Sequence, residues 1–208
     1  MPYGFMDVAL TPGVAAAQAE MGADHLWTAF KGHRAFDRFT EDEAAFLAQR
    51  DSFYLASVSE TGWPYVQHRG GPPGFLKMLD PQTLAFADYR GNRQYISTGN
   101  FRANDRACLI LVDYVRRARL KMYVHVETLA PGADPALAAR VAEPAYGATI
   151  ERIFRLRLAA FDWNCPQHIV PRFSEHEVET AVQPLHDRLA VLERENEDLR
   201  QQLASRGD

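Results

Sequence analysis

The stretch Leu120-Lys121-Met122-Tyr123-Val124-His125-Val126-Glu127 alternates apolar and polar side chains without exception. A period of two is typical of a β-strand with one face in a hydrophobic core and the other against water, a partner or a ligand. Further short segments rich in aromatic and β-branched residues predict strands at Phe53–Ser59, Tyr65–Arg69, Leu76–Leu79, Leu84–Ala87, Ala107–Val112 and Ile150–Phe161. The nearly continuous apolar run Ala107–Val112 predicts a strand buried on both faces. Because these strands do not alternate regularly with helices, we expect a mainly β (α+β) fold, an antiparallel barrel with packed helices.

Capping signals predict the helices between these strands. Thr11-Pro12 opens a short alanine-rich helix that ends at Gly22, and the capping box Thr40/Glu43 opens a second helix. A short helix begins near Tyr95 and ends at Gly99-Asn100, and Asp134-Pro135 caps another helix that ends near Val141.

Composition bounds the class of protein. The chain has 208 residues, 47% hydrophobic content and a net charge of −4. This balance argues against binding to nucleic acid or to anionic membranes. The segment Met1–Ala19 lacks the basic residues of a signal peptide, and no apolar run reaches the 18 residues of a membrane span. The presence of only two cysteines suits a reducing compartment. We therefore expect a cytoplasmic protein. The expected organisation is a lead-in (1–40), a barrel domain (41–173) and a helical tail (174–208).

The tail carries a heptad pattern. The capping box Ser174/Glu177 predicts one helix, and Pro184 fits the first turn of a fresh helix. Six residues of the fresh helix follow the spacing of a coiled-coil seam with one polar position: Leu185, Leu189, Leu192, Asn196, Leu199 and Leu203. With fewer than three heptads, this seam is interpreted as a short coiled coil that stabilises a dimer. The alternative is a helix that packs on its own domain. A DNA-binding zipper is excluded because acidic residues occupy the basic-region position: Glu175, Glu177 and Glu179.

Three polar segments lie at predicted strand ends and turns: Gln67–Pro72, Phe86–Gln94 and Arg116–Lys121. Guanidinium groups, amides and the free N–H groups of a helix start are the donors that a phosphate monoester prefers. Asn92 and Arg93 are therefore the best phosphate candidates. The alternative is that these groups are ordinary solvated turn residues.

Three motifs within these segments and beyond them resemble a known family: His68-Arg69-Gly70-Gly71-Pro72, Gly91-Asn92-Arg93-Gln94-Tyr95 and Trp163-Asn164-Cys165-Pro166-Gln167-His168. They resemble an oxidase-like branch of the pyridoxamine 5′-phosphate oxidase-related FMN-binding split-barrel superfamily. The likeness extends to about Arg172. It implies a split barrel that works as a homodimer, with FMN held between the two subunits.

The resemblance also implies roles for particular residues. The first strand segment contacts the ribityl chain and ring of the flavin: Gln67, His68, Arg69 and Gly70. The strand end and turn hold the phosphate: Phe86, Ala87, Asn92, Arg93 and Gln94. Arg119, with Lys121 on the same strand, lies beside the isoalloxazine, where a positive charge stabilises reduced flavin. Trp163 reaches the flavin from near the C-terminus, with Gln167 close behind.

The implied function is FMN-dependent redox chemistry on a small molecule, with no catalytic acid or base identified. A non-enzymatic flavin-binding sensor or carrier is the alternative, and a deazaflavin or haem in the same groove is left open. Pyridoxamine phosphate is not the expected substrate, because the stretch after Trp163 lacks the arginine-leucine-histidine motif of the true oxidases and Lys77 follows an inserted loop. No metal site is expected, since Cys165 and His168 have no second pair at zinc-finger spacing. Cys165 is interpreted as a structural rather than a redox thiol.

Overall fold

The computed structural model describes residues 4–28, 37–164 and 166–205. Seven strands form one sheet in the order β2-β1-β5-β6-β7-β4-β3, and every neighbouring pair is antiparallel. Their bounds are β1 Ser52–Val58, β2 Pro64–Gly70, β3 Lys77–Asp80, β4 Thr83–Tyr89, β5 Arg106–Asp113, β6 Ala118–Leu129 and β7 Ile150–Asn164.

The two edges of the sheet approach each other. Strand β2 is one edge and β4 lies next to the other, yet Arg69 of β2 forms an ion pair with Asp88 of β4. A twisted sheet that curls until its edges meet is a barrel. The mainly β, antiparallel split-barrel fold predicted from the sequence is therefore confirmed.

The alternation that predicted β6 is confirmed, because its apolar set is buried and its polar set is not: Leu120, Met122, Val124 and Val126 against Lys121, Tyr123, His125 and Glu127. The prediction that the neighbouring strand β5 is buried on both faces is wrong. Ala107, Leu109 and Leu111 lie in the core, whereas Cys108 and Ile110 are only partly covered. A run of apolar residues does not by itself distinguish one covered face from two.

The helices begin at the predicted caps. Thr11 accepts a hydrogen bond from the Val14 amide, and the Thr40/Glu43 capping box is formed. In chain order the helices are α1 Phe5–Ala9, α2 Pro12–Glu20, α3 Asp24–Thr28, α4 Glu41–Ala48, α5 Ile96–Ala103, α6 Pro135–Val141 and α7 Glu175–Ala204, with a 3₁₀ turn at Pro144–Tyr146.

Helix α5 continues past Gly99, where the sequence predicted its end. Asn100 is buried and its side-chain amide donates to the Ser57 hydroxyl at 2.9 Å, while Phe101 packs edge-on against Phe154. These tertiary contacts outweigh the weak local preference of glycine and asparagine for a helix end.

The main core fills the interior of the barrel. It is aromatic where β1 meets β4, because Phe53 lies 5.5 Å from Phe75 and 5.2 Å from Phe86, measured between ring centroids. Helix α4 adds Phe46 and Leu47 to this cluster. A smaller cluster forms where α6 packs on β4 and β7: Ala85, Ala87, Leu137, Val141 and Ile153.

The chain divides into two compact units. The first comprises Met1–Asp113 and Arg117–His168, and the second comprises Tyr114–Arg116 and Ile169–Asp208. Within the described residues of the second unit, α7 is one 30-residue helix that begins at the Ser174 cap and continues through Pro184. The prediction of a fresh helix at Pro184 is therefore wrong. Proline removes one backbone hydrogen bond, and in an exposed helix water can bind the carbonyl that is freed.

Across the described residues, no helix is both long and apolar enough to cross a membrane.

Candidate functional site

Two adjoining cavities of about 160 and 260 Å³ open where β4 ends and the chain turns into α5. The first is lined by the turn 91–98, by β2 and by the start of β7. The second is lined by β2, by β4 and by Tyr146. Gln67, Arg69 and Asp88 line both cavities, so the two spaces adjoin, and together they are called the groove.

A buried carboxylate between two arginines forms the wall of this groove. Asp88 is 3% exposed and its two oxygens accept hydrogen bonds from Arg69 of β2 and Arg152 of β7. Burial raises the pKa of Asp88 above its ordinary value, while both guanidinium groups act to lower it. Burial also lowers the pKa of Arg69. Such a cluster costs desolvation free energy, so it is weak evidence for stability and stronger evidence for a binding role.

The turn above the wall has unusual backbone geometry. Arg93 and Tyr95 have φ angles of 63° and 55°, the left-handed region that residues with a Cβ rarely occupy. The Asn92 side chain holds the turn by accepting the Gln94 amide at 3.2 Å. The Tyr95 hydroxyl donates to Glu151 at 3.1 Å, and the ring lies 4.7 Å from the Arg152 guanidinium. Strain of this kind is concentrated at binding sites.

Ser97 provides a buried donor at the start of α5. It is 2% exposed, it lines the smaller cavity, and its hydroxyl has no hydrogen-bond partner among the described residues. The first amides of a helix also lack internal partners and carry a partial positive charge. The Nε of Arg69 is likewise buried without a described partner. These unused donors fit an anionic oxygen-rich group such as a phosphate.

Charges in the smaller cavity favour an anion by a small margin. Three arginines line it (Arg69, Arg93 and Arg152), against two carboxylates (Asp88 and Glu151). The Glu151 carboxylate already forms an ion pair with the Nε of Arg90 at 3.1 Å and accepts a hydrogen bond from the Tyr95 hydroxyl. The side chain of Arg93 donates only one 3.3 Å hydrogen bond, to Tyr95, among its described contacts. Arg93 is therefore the cation best placed to bind an incoming group.

The loop after β2 depends on a glycine. A Cβ on Gly71 would lie 2.7 Å from the Cγ of Phe75, closer than side chains pack. Without a side chain at Gly71, the backbone can approach the Phe75 ring closely. The backbone can therefore turn tightly beside Gly70, which lines the larger cavity.

The groove brings together most of the residues singled out from the sequence. Of these residues, the smaller cavity is lined by Gln67, Arg69, Asn92, Arg93 and Gln94. The larger cavity is lined by Gln67, His68, Arg69, Gly70, Phe86 and Ala87.

The remaining candidates lie at the opposite end of β7. In the strand register of β6 and β7, Arg119 lies opposite Asn164 and Lys121 lies opposite Asp162. In the register of β4 and β7, Asp88 lies opposite Arg152, near the other end of β7. Arg152 and Asn164 are twelve positions apart on β7, which corresponds to about 40 Å of extended strand. Neither cavity is lined by Arg119, Lys121, Trp163 or Gln167. Gln167 lies in an exposed turn, and Cys165 lies outside the described residues.

At this far end Trp163 has a structural partner. Its indole N–H donates to Glu43 at 2.6 Å, and its ring meets Phe46 edge-on at 4.8 Å. Burial alone would raise the pKa of Glu43, but hydrogen bonds from Thr40 and Trp163 lower it below its ordinary value. On the surface, the Nδ1 of His125 lies 3.0 Å from a carboxylate oxygen of Asp105.

Arg152, Ser97 and Tyr95 were not among the predicted ligand-binding residues. The sequence contained a signal for Arg152, because alternate residues of a strand face the same side and Phe154 and Leu156 of β7 face the core. Asp88 likewise lies on the same side of β4 as the buried Phe86. A charge on the buried side of a strand requires a partner, and this requirement predicts a polar cluster.

Among the described residues, no three His, Cys, Asp or Glu side chains are grouped to hold a metal ion.

Comparison with known proteins gives one match to a family model. Residues 39–162 match the model described as pyridoxamine 5′-phosphate oxidase. A search of curated proteins found no match.

Solved structures with the same type of fold show low sequence identity. HupZ of Group A Streptococcus is 16% identical, with 65% of this chain and 100% of that chain covered and a TM-score of 0.49. An FMN-binding protein from Syntrophomonas wolfei is 13% identical (60% and 90% covered, TM-score 0.41). The haem storage protein HutZ from Vibrio cholerae is 14% identical (60% and 94% covered, TM-score 0.43).

Proposed function

Because the chain belongs to the pyridoxamine 5′-phosphate oxidase-like family, we propose that it is an FMN-dependent oxidoreductase that acts on a small molecule. The flavin phosphate binds in the smaller cavity, at the turn 91–98. The observation that supports this proposal is that Arg93, the start of α5 and the Ser97 hydroxyl meet in one cavity. The Ser97 hydroxyl is buried and has no hydrogen-bond partner among the described residues.

The residues of the groove bind and orient the cofactor. Arg93 and Ser97 donate to phosphate oxygens. Arg69 is held in place by Asp88, and its Nε, which binds no other described residue, donates to the polar part of the flavin chain. The backbone at Gly70, with no side chain, allows the ring to lie close to β2. Bound FMN supplies hydride or electron transfer, and the protein supplies position and charge.

The proposed active form is a homodimer with FMN at the subunit interface. Within one chain, Arg119 at the start of β6 and Trp163 at the end of β7 lie too far from the groove to contact the same flavin. A second copy related by two-fold symmetry contributes its own β6–β7 end to the groove of the first. Arg119 and Lys121 then lie beside the flavin ring and stabilise its reduced, negatively charged form.

Binding of FMN and of riboflavin to the protein stripped of cofactor tests the phosphate site. The two ligands differ only in the phosphate, so wild-type protein binds FMN more tightly. Arg93→Ala reduces this preference by about tenfold or more, as expected for a lost charge-assisted hydrogen bond. Fluorescence titration measures both dissociation constants. Arg102→Ala, at the exposed far end of α5, is the matched control and retains the preference.

An unchanged preference for FMN in Arg93→Ala contradicts the phosphate assignment. The absorption spectrum of the purified protein, before and after acid release, identifies what it carries. A haem or deazaflavin spectrum contradicts the proposal of FMN.

Mixing two inactive variants tests the composite site. Arg93→Ala and Arg119→Ala each damage both sites of a homodimer. After the subunits are mixed and exchanged, a heterodimer has one site with both substitutions and one site with neither. Recovery of half the flavin sites in the heterodimer supports the composite site, and no recovery contradicts it.

Stopped-flow spectroscopy separates an enzyme from a flavin-binding sensor or carrier. An oxidoreductase is reduced by a nicotinamide cofactor or another donor and is reoxidised by oxygen or a quinone at useful rates. A protein that holds FMN and shows neither half-reaction is a binding module.

A further inference from the structure

Helix α7 presents a longer apolar seam than the leucines alone suggest. Because the helix is continuous through Pro184, two valines join the same stripe. The seam then has eight positions with spacings that alternate between four and three: Val178, Val182, Leu185, Leu189, Leu192, Asn196, Leu199 and Leu203. In heptad notation these are successive d and a positions, beginning with Val178 at d.

Most side chains of the seam are exposed. No residue of α7 is buried, and the exposed fraction of its leucines ranges from 43% at Leu192 to 70% at Leu203. A contiguous apolar stripe of this length is unfavourable in water and marks an interaction surface.

The charges that flank the seam favour a second copy of the same helix. Arg188 and Glu195 occupy g positions, and Glu193 and Arg200 occupy e positions. In a parallel, in-register pair, each g residue faces the e residue of the next heptad on the other helix. Arg188 then faces Glu193 of the second copy, and Glu195 faces Arg200 of the second copy. Both contacts are attractive, and within the described chain none of these four side chains forms an ion pair.

Asn196 favours the parallel arrangement over the antiparallel one. In a parallel pair the two Asn196 side chains meet and can hydrogen-bond to each other, which sets register and a two-stranded state. In an antiparallel pair an a residue packs against a d residue, and every d residue here is valine or leucine. The amide of Asn196 would then be buried without a partner, which costs free energy.

The opposite face of α7 needs no partner. Pro184 lies at an outer c position, away from the seam. On this face Gln183 donates to Asp187 at 2.9 Å and Gln201 to Glu197 at 3.2 Å. Apart from Ala190 and Val191, the outer face is thus mostly polar and internally hydrogen-bonded, as expected for the solvent side of a coiled coil.

We propose that α7 pairs with α7 of a second copy as a parallel, in-register, two-stranded coiled coil. This surface goes beyond the proposed flavin chemistry, because it joins two copies through the tail and uses no residue of the groove.

Disulfide trapping in the full-length chain tests the pairing and its direction. In a background with Cys108→Ser and Cys165→Ser, Leu199→Cys places the two introduced thiols at the same d layer. We expect rapid intermolecular cross-linking. Gln201→Cys, at the outer f position two residues away, is the matched control and cross-links slowly. Slow cross-linking of Leu199→Cys, as for antiparallel helices or a helix packed on its own barrel, overturns the proposal, and so do equal rates at both positions.

Charge reversal tests the register independently. Glu195→Arg places like charges together at two symmetric contacts, and Arg200→Glu does the same. Each change slows cross-linking of Leu199→Cys by about tenfold. The double variant restores opposite charges and recovers the original rate. Additive slowing in the double variant overturns the assigned register.

Discussion

The two ends of β7 each hold a buried carboxylate, and the two carboxylates are stabilised in opposite ways. At the first end, Asp88 is enclosed by Arg69 and Arg152, and burial raises its pKa. At the far end, Glu43 accepts hydrogen bonds from Thr40 and Trp163, and its pKa is lowered.

This difference distinguishes the candidate ligand site around Asp88 from the structural contact around Glu43. Around Asp88, Ser97 and Arg69 keep buried donors that no described residue accepts, and two residues of the adjacent turn have strained backbones. Around Glu43, the hydrogen bonds close a capping box and fasten Trp163 to α4. At the first end, buried donors remain available to bind a ligand. At the second end, the polar groups hold Trp163 against α4.

The largest expected effect is that of Asp88→Asn. The substitution leaves the buried guanidinium groups of Arg69 and Arg152 without their counter-charge, so we expect the free energy of unfolding to fall by about 3–5 kcal/mol. Urea denaturation measures the loss. Glu127→Gln, which removes an exposed ion pair with Arg155, is the control and costs less than about 1 kcal/mol. Equal losses in the two variants would show that the Asp88 cluster is an ordinary surface network.

A smaller loss is expected for Trp163→Phe at the far end. Phenylalanine keeps an aromatic ring near Phe46 but removes the hydrogen bond to Glu43, which is worth about 1.5 kcal/mol for a charged acceptor. The loss appears as a lower urea midpoint. Trp63→Phe is the matched control, because Trp63 is 76% exposed, and it changes stability little. If both variants match wild type, Trp163 has no structural role at this end.

The strain at the first end is measured by comparing Tyr95→Gly with Tyr95→Ala. Both variants lose the same contacts to Glu151 and Arg152, but only glycine adopts a φ near 55° without a steric penalty. We expect the glycine variant to be more stable than the alanine variant by about 1 kcal/mol. Thermal unfolding at matched scan rates reports the difference. Equal stability would mean that the turn relaxes and stores no strain.

The smallest expected effect is on the pH dependence of Glu43. Because the folded state lowers its pKa below the ordinary 4.5, its contribution to stability is present above that pH and is lost as the pH falls through the folded value. Glu43→Gln can still cap the helix but does not titrate, so its melting temperature falls less steeply on acidification. Melting curves between pH 3 and pH 6 test this. Parallel curves for the two proteins contradict the assignment.

Patterns read over a few residues predicted the local structure well. The alternation in β6 predicted which side chains face the core, and the caps at Thr11, Thr40, Asp134 and Ser174 predicted where helices begin. These signals depend on the backbone of neighbouring residues and need no distant partner. Pro184 shows where such local patterns fail to predict structure. A proline is compatible both with the first turn of a new helix and with the interior of a continuous exposed helix such as α7.

Short-range patterns were enough to predict the strands, the caps, the heptad seam and the cluster of donors in the turn after β4. Which of those donors come together depends on how the sheet folds. Arg69, Asp88 and Arg152 converge because the sheet curls and brings β2 to β4 and β7, while Arg119 and Trp163 are carried to the other end of β7. The period of a strand reports the face on which a side chain lies, but the order and register of the strands fix its neighbours.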